Sequence, residues 1–302
     1  MSYRRDRRYR TILYATDGPI ARVTLNRPDE LNTIVAPMPD EVEDAVNTAV
    51  RDDSVKVIIL RGAGRAFCAG YNFAGGFGYG ELFSTDGRWD PGKDMIYTTS
   101  HATSPHQKFM SIWRSPKPVI AQVHGWCVGG GSDYALCADL VIASEDAQIG
   151  TPYSRVWGAY LSGMWIYRLG LTRAKYYALT GAPLSGREAA DIGLINQAVP
   201  FEQLEAVVCA QAEQLASLPM GQLAAQKLMV NQAFENMGLA STQTLGAVLD
   251  GIMRNIPEAH AFIDHAASQG VSSAVTERDG RFGDYSQAPD PRKPDPSHII
   301  EP

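Results

Sequence analysis

Two stretches decide the fold: residues 55–71, which read VKVIILRGAGRAFCAGY, and residues 117–133, which read KPVIAQVHGWCVGGGSD. Each begins with a short run of mostly branched apolar residues, which is typical of a strand covered on both faces. Each then passes into a glycine turn, and open α/β sheets bind their ligands at the C-terminal ends of their strands. The two stretches therefore predict two ligand-facing turns in an α/β protein.

Neighbouring segments extend this sheet. Residues 20–25 alternate in the manner of a half-buried strand, and Pro39 suits the first turn of the amphipathic helix that follows. Strand, helix and strand within about 40 residues form a right-handed βαβ unit. Further strands are predicted at 119–123, 140–143 and 194–199.

The second half of the chain is predicted to be mainly helical. The apolar spacing predicts helices at about 201–217, 221–236, 240–254 and 257–268. In the third of these, Leu245, Val248, Leu249 and Ile252 are predicted to form the buried face.

The domain organisation follows from these patterns. Residues 71–116 are predicted to be irregular, with a glycine-rich start that forms either a flexible flap or a plain surface excursion. The predicted organisation is a loose N-terminus at 1–10, an α/β core at 11–200, a helical module at 201–282 and a proline-rich tail at 283–302.

Composition narrows the function classes. The chain is 45% hydrophobic and 20% charged, as globular proteins are, and its net charge of -6 argues against a nucleic-acid partner. No apolar run approaches the roughly 20 residues of a membrane span. The four cysteines show neither CxxC pairs nor zinc spacing, so we expect buried thiols in a reducing cytoplasm.

The glycine turns do not match a nucleotide-binding fingerprint. Phe67 occupies the place where the third small residue of GxGxxG would stand, and no GxxxxGK[ST] sequence occurs. Another reading fits both turns. Gly130 just precedes a predicted helix at 133–138, and two converging backbone amides would polarise a thioester carbonyl, each contributing about 3 kcal/mol to catalysis. On spacing alone, glycines that merely form tight turns remain an equal alternative.

Several ordered motifs together resemble one family. Residues 64–70, residues 117–125 with the glycines at 129–131, residues 25–28 with Asn32, and residues 185–199 are similar to signature segments of the enoyl-CoA hydratase/isomerase (crotonase) superfamily. The resemblance spans about residues 10–270. It implies a spiral of ββα units and a C-terminal helical module used in trimerisation. It also implies an acyl-CoA substrate, a role in fatty acid or related acyl-CoA breakdown, a homotrimer or dimer of trimers, and neither a metal nor a redox cofactor.

The resemblance also assigns site residues. It places the two oxyanion amides at Tyr71 and Gly130. It places coenzyme A along two segments, which contribute Asn26, Arg27, Leu31, Arg65, Ala66, Phe67 and Cys68.

The chain departs from the family at its two catalytic glutamates. Asp133 stands at the first position and Tyr153 at the second, and a tyrosine with an ordinary pKa near 10 is neutral at pH 7. Asp133 serves as the catalytic carboxylate, or it caps or salt-bridges its helix locally. Tyr153 orients a water, or it lines an acyl pocket with Trp157 and Tyr160. His101 and His106 are candidate bases, although we expect both to be solvated at the surface.

Four functions remain open at this point. The leading one is hydration of a 2-enoyl-CoA by Asp133 with help from Tyr153. The second is double-bond isomerisation, which needs only one base beside the oxyanion hole. The third is hydrolysis of a CoA thioester or a C–C bond, and the fourth is non-catalytic acyl-CoA binding.

Overall fold

The computed structural model describes residues 9–73 and 82–285. Most of the predicted loose N-terminus, the glycines at 75–80 and the proline-rich part of the tail lie outside these residues. Residues 283–285, where the tail was predicted to begin, are packed, because Asp284 bonds to Arg155 and Tyr285 is buried.

The larger sheet has six strands in the order β1-β2-β3-β7-β9-β12. Its strands β2, β3, β7, β9 and β12 run parallel, while β1 pairs with β2 in the antiparallel sense. The strands of this sheet are β1 (Ile12–Asp17), β2 (Ile20–Leu25), β3 (Val57–Gly62), β7 (Val119–Val123), β9 (Leu140–Ser144) and β12 (Gln197–Val199).

A smaller sheet carries the glycine turns. Its order is β11-β10-β8-β4, and the two turns follow β4 and β8, which pair in parallel. The members are β4 (Ala66–Cys68), β8 (Trp126–Val128), β10 (Gln148–Gly150) and β11 (Leu184–Ser185), and a separate hairpin is formed by β5 (Ser84–Thr85) and β6 (Arg88–Trp89).

Helices surround both sheets. In chain order they are α1 (Met38–Arg51), α2 (Pro91–Thr99), α3 (Pro105–Phe109), α4 (Ser111–Arg114), α5 (Gly130–Ala135), α6 (Met164–Thr180), α7 (Gly186–Asp191), α8 (Phe201–Ala216), α9 (Met220–Asn236), α10 (Leu239–Met253), α11 (Pro257–Gln269) and α12 (Val271–Gly280). None of these helices has the length and apolar character needed to cross a bilayer.

The core lies on both faces of the larger sheet, as the apolar strands predict. The apolar side of α1 belongs to the main cluster, together with Ile58 and Leu60 of β3. Leu204 and Val208 of α8 pack on the other side, against Val57 and Ile59. Alternate residues of β3 thus enter different cores, because side chains alternate between the two faces of a strand.

Two sequence predictions are wrong. Residues 71–116 are not irregular, since α2, α3 and α4 lie within them. Asp90 caps α2 by accepting hydrogen bonds from the amides of Gly92 and Lys93, but these helices are too short to show a clear apolar period.

The second error concerns the orientation of α10. Its apolar residues Leu245, Leu249 and Ile252 are 59%, 42% and 43% exposed, and the buried residues are Leu239, Gln243, Gly246, Ala247 and Gly251. Apolar periodicity identifies an amphipathic helix, but it cannot show whether the apolar side packs against the same chain.

The buried side chain of Asn32 links the loop after β2 to the connection between β3 and β4. Asn32 is fully buried, donates to the carbonyls of Ala63 and Ala66, and accepts from the amide of Arg27. Its φ of 53° lies in the left-handed region, which asparagine tolerates better than most residues. The connection from β3 to β4, which leads into the site-bearing turn after β4, is therefore fixed to the loop after β2.

Replacing Asn32 by alanine is expected to lower the free energy of unfolding by about 3 kcal/mol, because two buried carbonyls and one partly buried amide lose their hydrogen bonds. Urea unfolding measures this loss, and Asn47→Ala on the exposed side of α1 is the matched control. A loss for Asn32→Ala no larger than that of the control would contradict this account.

Candidate active site

The two glycine turns meet at the C-terminal ends of β4 and β8. A methyl carbon built on Gly131 would lie 2.2 Å from the carbonyl oxygen of Cys68, so only glycine allows the two backbones to approach this closely. A methyl carbon built on Gly130 would lie 2.8 Å from Cε2 of Tyr71. The residues predicted to supply the two amides are therefore neighbours in space.

Both amides are left without a protein acceptor. Gly130 is the first residue of α5, a position whose N–H has no partner inside the helix. Across the described ranges, neither the amide of Tyr71 nor that of Gly130 donates to a protein carbonyl. These two N–H groups are available to a ligand.

The ring of Tyr71 is anchored beside the turn. Its hydroxyl is hydrogen-bonded to that of Tyr134, and burial, as the main cause, raises the pKa of Tyr71. Tyr134 in turn stacks on Phe109 with ring centroids 3.7 Å apart. This wall holds the Tyr71 backbone in place while the phenol stays neutral.

Asp133 is a fully buried carboxyl group in the first turn of α5. It accepts hydrogen bonds from the amide of Ser162, at 3.2 Å, and from the hydroxyl of the same residue. Among the described residues no cation pairs with it, so the alternative of a local salt bridge is wrong. Burial raises its pKa to about 6. Asp133 can therefore both hold and release a proton near neutral pH.

Tyr153 and Tyr160 lie on the same side as Asp133. Tyr153 belongs to the short 3-10 helix Pro152–Arg155, and its ring centroid is 5.8 Å from that of Tyr160. Burial raises the pKa of Tyr153 well above 10, with further contributions from the charges of Asp133 and Asp250. Tyr153 is therefore a neutral hydrogen-bonding group.

Trp157 and Tyr160 belong to different aromatic clusters. Trp157 packs against Phe73 at 5.4 Å and against Phe262 of α11 at 5.5 Å between ring centroids. Tyr160 stacks on Trp165, and its hydroxyl accepts a hydrogen bond from Thr151. Their joint role in an acyl pocket stays a prediction.

The residues expected to bind coenzyme A differ in how far they are exposed to a ligand. Asn26, Arg27, Leu31 and Arg65 are half-buried, and Arg27 forms an ion pair with Glu30. Ala66, Phe67 and Cys68 are at most 1% exposed, main chain included. Their contact with coenzyme A stays a prediction.

The two candidate histidines are far from equivalent. His106 is buried rather than solvated, its Nδ1 lies 2.7 Å from the hydroxyl of Ser104, and burial lowers its pKa to about 4. His101 is exposed beside Glu43 of α1. The surface role expected for His106 is wrong, because helix α3 packs it against the body of the protein.

Asp250 was missed at the sequence level. It lies on α10, and its charge raises the pKa of Asp133, Tyr71 and Tyr153 in addition to the larger effect of burial. No motif surrounds Asp250 in the sequence, so only the fold could reveal that it is near these groups.

Two other features lie outside this region. A cavity of about 410 Å³ opens between α9, α6 and the N-terminal ends of β7 and β9, on the opposite edge of the sheet from the strand ends that bear the glycine turns. Throughout 9–73 and 82–285, no three histidine, cysteine or acidic side chains are grouped as metal ligands would be.

Comparison with known proteins identifies relatives. The sequence model of the enoyl-CoA hydratase/isomerase family matches residues 15–250. A hydroxycinnamoyl-CoA hydratase-lyase of Pseudomonas fluorescens is 30% identical over 69% of this chain and 73% of its own. A 1,2-epoxyphenylacetyl-CoA isomerase of Escherichia coli K12 is 30% identical over 79% of this chain and 86% of its own. The crystal structure of an enoyl-CoA hydratase from Mycobacterium smegmatis superposes with a TM-score of 0.85 and 38% identity, covering 92% of this chain and 96% of that one.

The burial of Asp133 predicts how stability depends on pH. Its pKa is about 6 when folded, above its ordinary 3.8, so its contribution to stability is fully present below pH 4 and is lost as the pH rises through 6. The loss amounts to about 3 kcal/mol. Because asparagine cannot ionise, the free energy of unfolding of Asp133→Asn should rise by about that much relative to wild type between pH 4 and pH 8.

Urea unfolding across this pH range provides the measurement, and Asp264→Asn replaces an exposed carboxylate as the control. Parallel pH curves for wild type and Asp133→Asn would show that the carboxyl group is not buried in this way.

Proposed function

The chain belongs to the enoyl-CoA hydratase/isomerase family, and we propose that it adds water to the double bond of a 2-enoyl-CoA thioester. One observation carries the proposal. Within residues 9–73 and 82–285, the neighbouring amides of Tyr71 and Gly130 have no protein acceptor, and the buried carboxyl of Asp133, three residues after Gly130, has no cation partner. These are the groups that enolate chemistry on a thioester requires.

The two amides bind the thioester oxygen. Charge develops on this oxygen when a nucleophile attacks C3, and fixed donors stabilise that charge without reorganisation. Asp133 moves the proton at the acyl chain, because a carboxyl group with a pKa of about 6 exchanges protons readily at neutral pH. Tyr153 stays neutral and donates a hydrogen bond that orients the water.

Coenzyme A lies along the loop after β2 and the turn after β3. Arg27 and Arg65 supply positive charge at the surface of this groove for the phosphates. The acyl group extends toward Tyr160 and the aromatic cluster of Trp157.

Isomerisation of the double bond is the second candidate. It is favoured by one specific observation, the presence of Tyr153 where a second glutamate would stand, since shifting a double bond needs only one base. One relative named above is an isomerase of an epoxyphenylacetyl-CoA, at 30% identity.

The decisive test is Asp133→Asn. We expect hydration of crotonyl-CoA or cinnamoyl-CoA to fall by at least about 100-fold, the usual contribution of a general acid or base. Affinity for the saturated thioester butyryl-CoA should stay within about twofold. Absorbance of the enoyl thioester measures the rate, and calorimetry measures the affinity.

Wild-type protein that binds these thioesters but turns none of them over would contradict hydration and support the non-catalytic binding alternative. Migration of the double bond in a 3-enoyl-CoA without any hydration would support the isomerase.

The assembly is proposed to be a homotrimer or a dimer of trimers. Helix α9 has no buried residue, and its Leu228 and Met229 are 68% and 70% exposed. Apolar surface of this extent is typical of an interface between subunits.

Light scattering should give a mass of about three or six times 32.8 kDa. The double substitution Leu228→Glu and Met229→Glu should lower it, because charges at a buried interface are costly. Glu213→Lys, an exposed charge change on α8, is the control. A monomeric wild type at micromolar concentration would refute the trimer.

A further inference from the structure

Helix α10 enters the candidate active site with its polar side. Gln243 is buried and donates to the carbonyl of Ser162 at 3.0 Å. A methyl carbon on Gly246 would lie 3.0 Å from the carbonyl oxygen of Tyr160. The same side of α10 therefore touches both ends of the segment 160–162, which holds Asp133 through Ser162.

Asp250 lies on this same side of α10. It follows Gln243 by seven residues and Gly246 by four, and residues at these spacings share one side of an α-helix. Its side chain is only 17% exposed. Helical geometry thus directs Asp250 inward, one turn beyond Gly246 and away from the apolar surface at Leu245 and Leu249, and its charge acts on Asp133.

Among the described residues, the charged neighbours of Asp250 come from α10, α2 and α5. On α10 itself, Nε of Arg254 lies 2.9 Å from Oδ2 of Asp250. From α2, the buried Asp94 accepts from Nη2 of Arg254 at 2.7 Å and from the indole of Trp89 at 2.8 Å. From α5, Asp133 lies within electrostatic range. Two carboxylates thus share one guanidinium, and Asp250 is only partly neutralised.

We propose that Asp250 is the second catalytic carboxylate of this site, supplied by α10 and oriented by Arg254, in place of the family glutamate that Tyr153 replaces. This inference rests on the proposed hydration. It gives the reaction the second proton-transfer group that Asp133 and a neutral Tyr153 cannot provide together.

The proposed roles of the two carboxyl groups follow from their partners. Arg254 holds the carboxylate of Asp250 in an ion pair, whereas no cation pairs with Asp133 in the described residues. The proposal therefore assigns the base to Asp250 and the acid to Asp133. Burial raises the pKa of both groups to about 6, so the two titrate as an interacting pair.

The proton transfers balance across one turnover. The carboxylate of Asp250 takes a proton from water while the water oxygen bonds to C3. The electron pair of the C2–C3 double bond moves toward the thioester oxygen and forms the enolate held by the two amides. The enolate then takes a proton at C2 from the carboxylic acid of Asp133. The proton on Asp250 returns to Asp133 through solvent before the next cycle.

Measuring two reactions distinguishes the role of Asp250 from that of Asp133. Hydration of crotonyl-CoA needs both carboxyl groups, whereas deuterium exchange at C2 of butyryl-CoA in D₂O needs only Asp133 and the amides. Asp250→Asn should lose hydration by at least about 100-fold and keep C2 exchange within about threefold. Asp133→Asn should lose both reactions. Asp264→Asn, an exposed carboxylate on α11, should change neither.

A second variant tests the same residue without removing it. Arg254→Gln takes away the cation that favours ionised Asp250, so the acid limb of the pH profile for hydration should move about one pH unit upward. Thermal unfolding of each variant reports whether the fold is retained.

The outcomes are distinguishable. Hydration retained within twofold in Asp250→Asn, equal loss of both reactions in that variant, or an unmoved profile in an active Arg254→Gln would each overturn the assignment of Asp250. Absence of both hydration and C2 exchange in wild type would overturn the proposed function itself, and the assignment of Asp250 with it.

Discussion

The close approach of two backbones, after β4 and after β8, is the constraint on which the rest of this structure depends. The carbonyl of Cys68 lies against Gly131 so tightly that no side chain fits between them. That contact sets the amides of Tyr71 and Gly130 side by side and starts α5 at Gly130. Because Asp133 lies in the first turn of α5, the same contact also fixes the carboxyl group relative to the amides. Asn32 holds the connection from β3 to β4 with three hydrogen bonds, two of them fully buried.

The second constraint is electrostatic, and it opposes stability. Asp133 and Asp250 are carboxyl groups kept in one interior, and Arg254 is shared between Asp250 and Asp94. Burying a charge without full compensation destabilises a fold, and the cost appears here as raised pKa values. Proteins keep such groups mainly where proton transfer needs them, so the instability is itself an argument for catalysis.

Local sequence was enough to predict the parts of the site that lie within one turn of a strand. Strand β2 and the four helices predicted for the module were predicted closely, and so were the two glycine turns. Helix α5 was predicted at 133–138 but begins at Gly130, three residues earlier. The short helices within 71–116 and the inward side of α10 were not, because their packing partners are distant in sequence. Asp250 is 117 residues from Asp133, and its helix has an apolar stripe that indicates burial of the opposite side.

The two sides of α10 explain why its apolar side was wrongly predicted to be buried, and what holds the helix in place. Its inner side is built from Gln243, Gly246, Ala247 and Asp250, which bury little apolar surface, so hydrogen bonds and ion pairs hold it to the core. Its outer side exposes Leu245, Leu249 and Ile252. In the proposed trimer, a neighbouring subunit that covers this outer side would supply the apolar burial that the inner side lacks. Assembly would then stabilise the position of Asp250, and the complete site would be a property of the proposed oligomer.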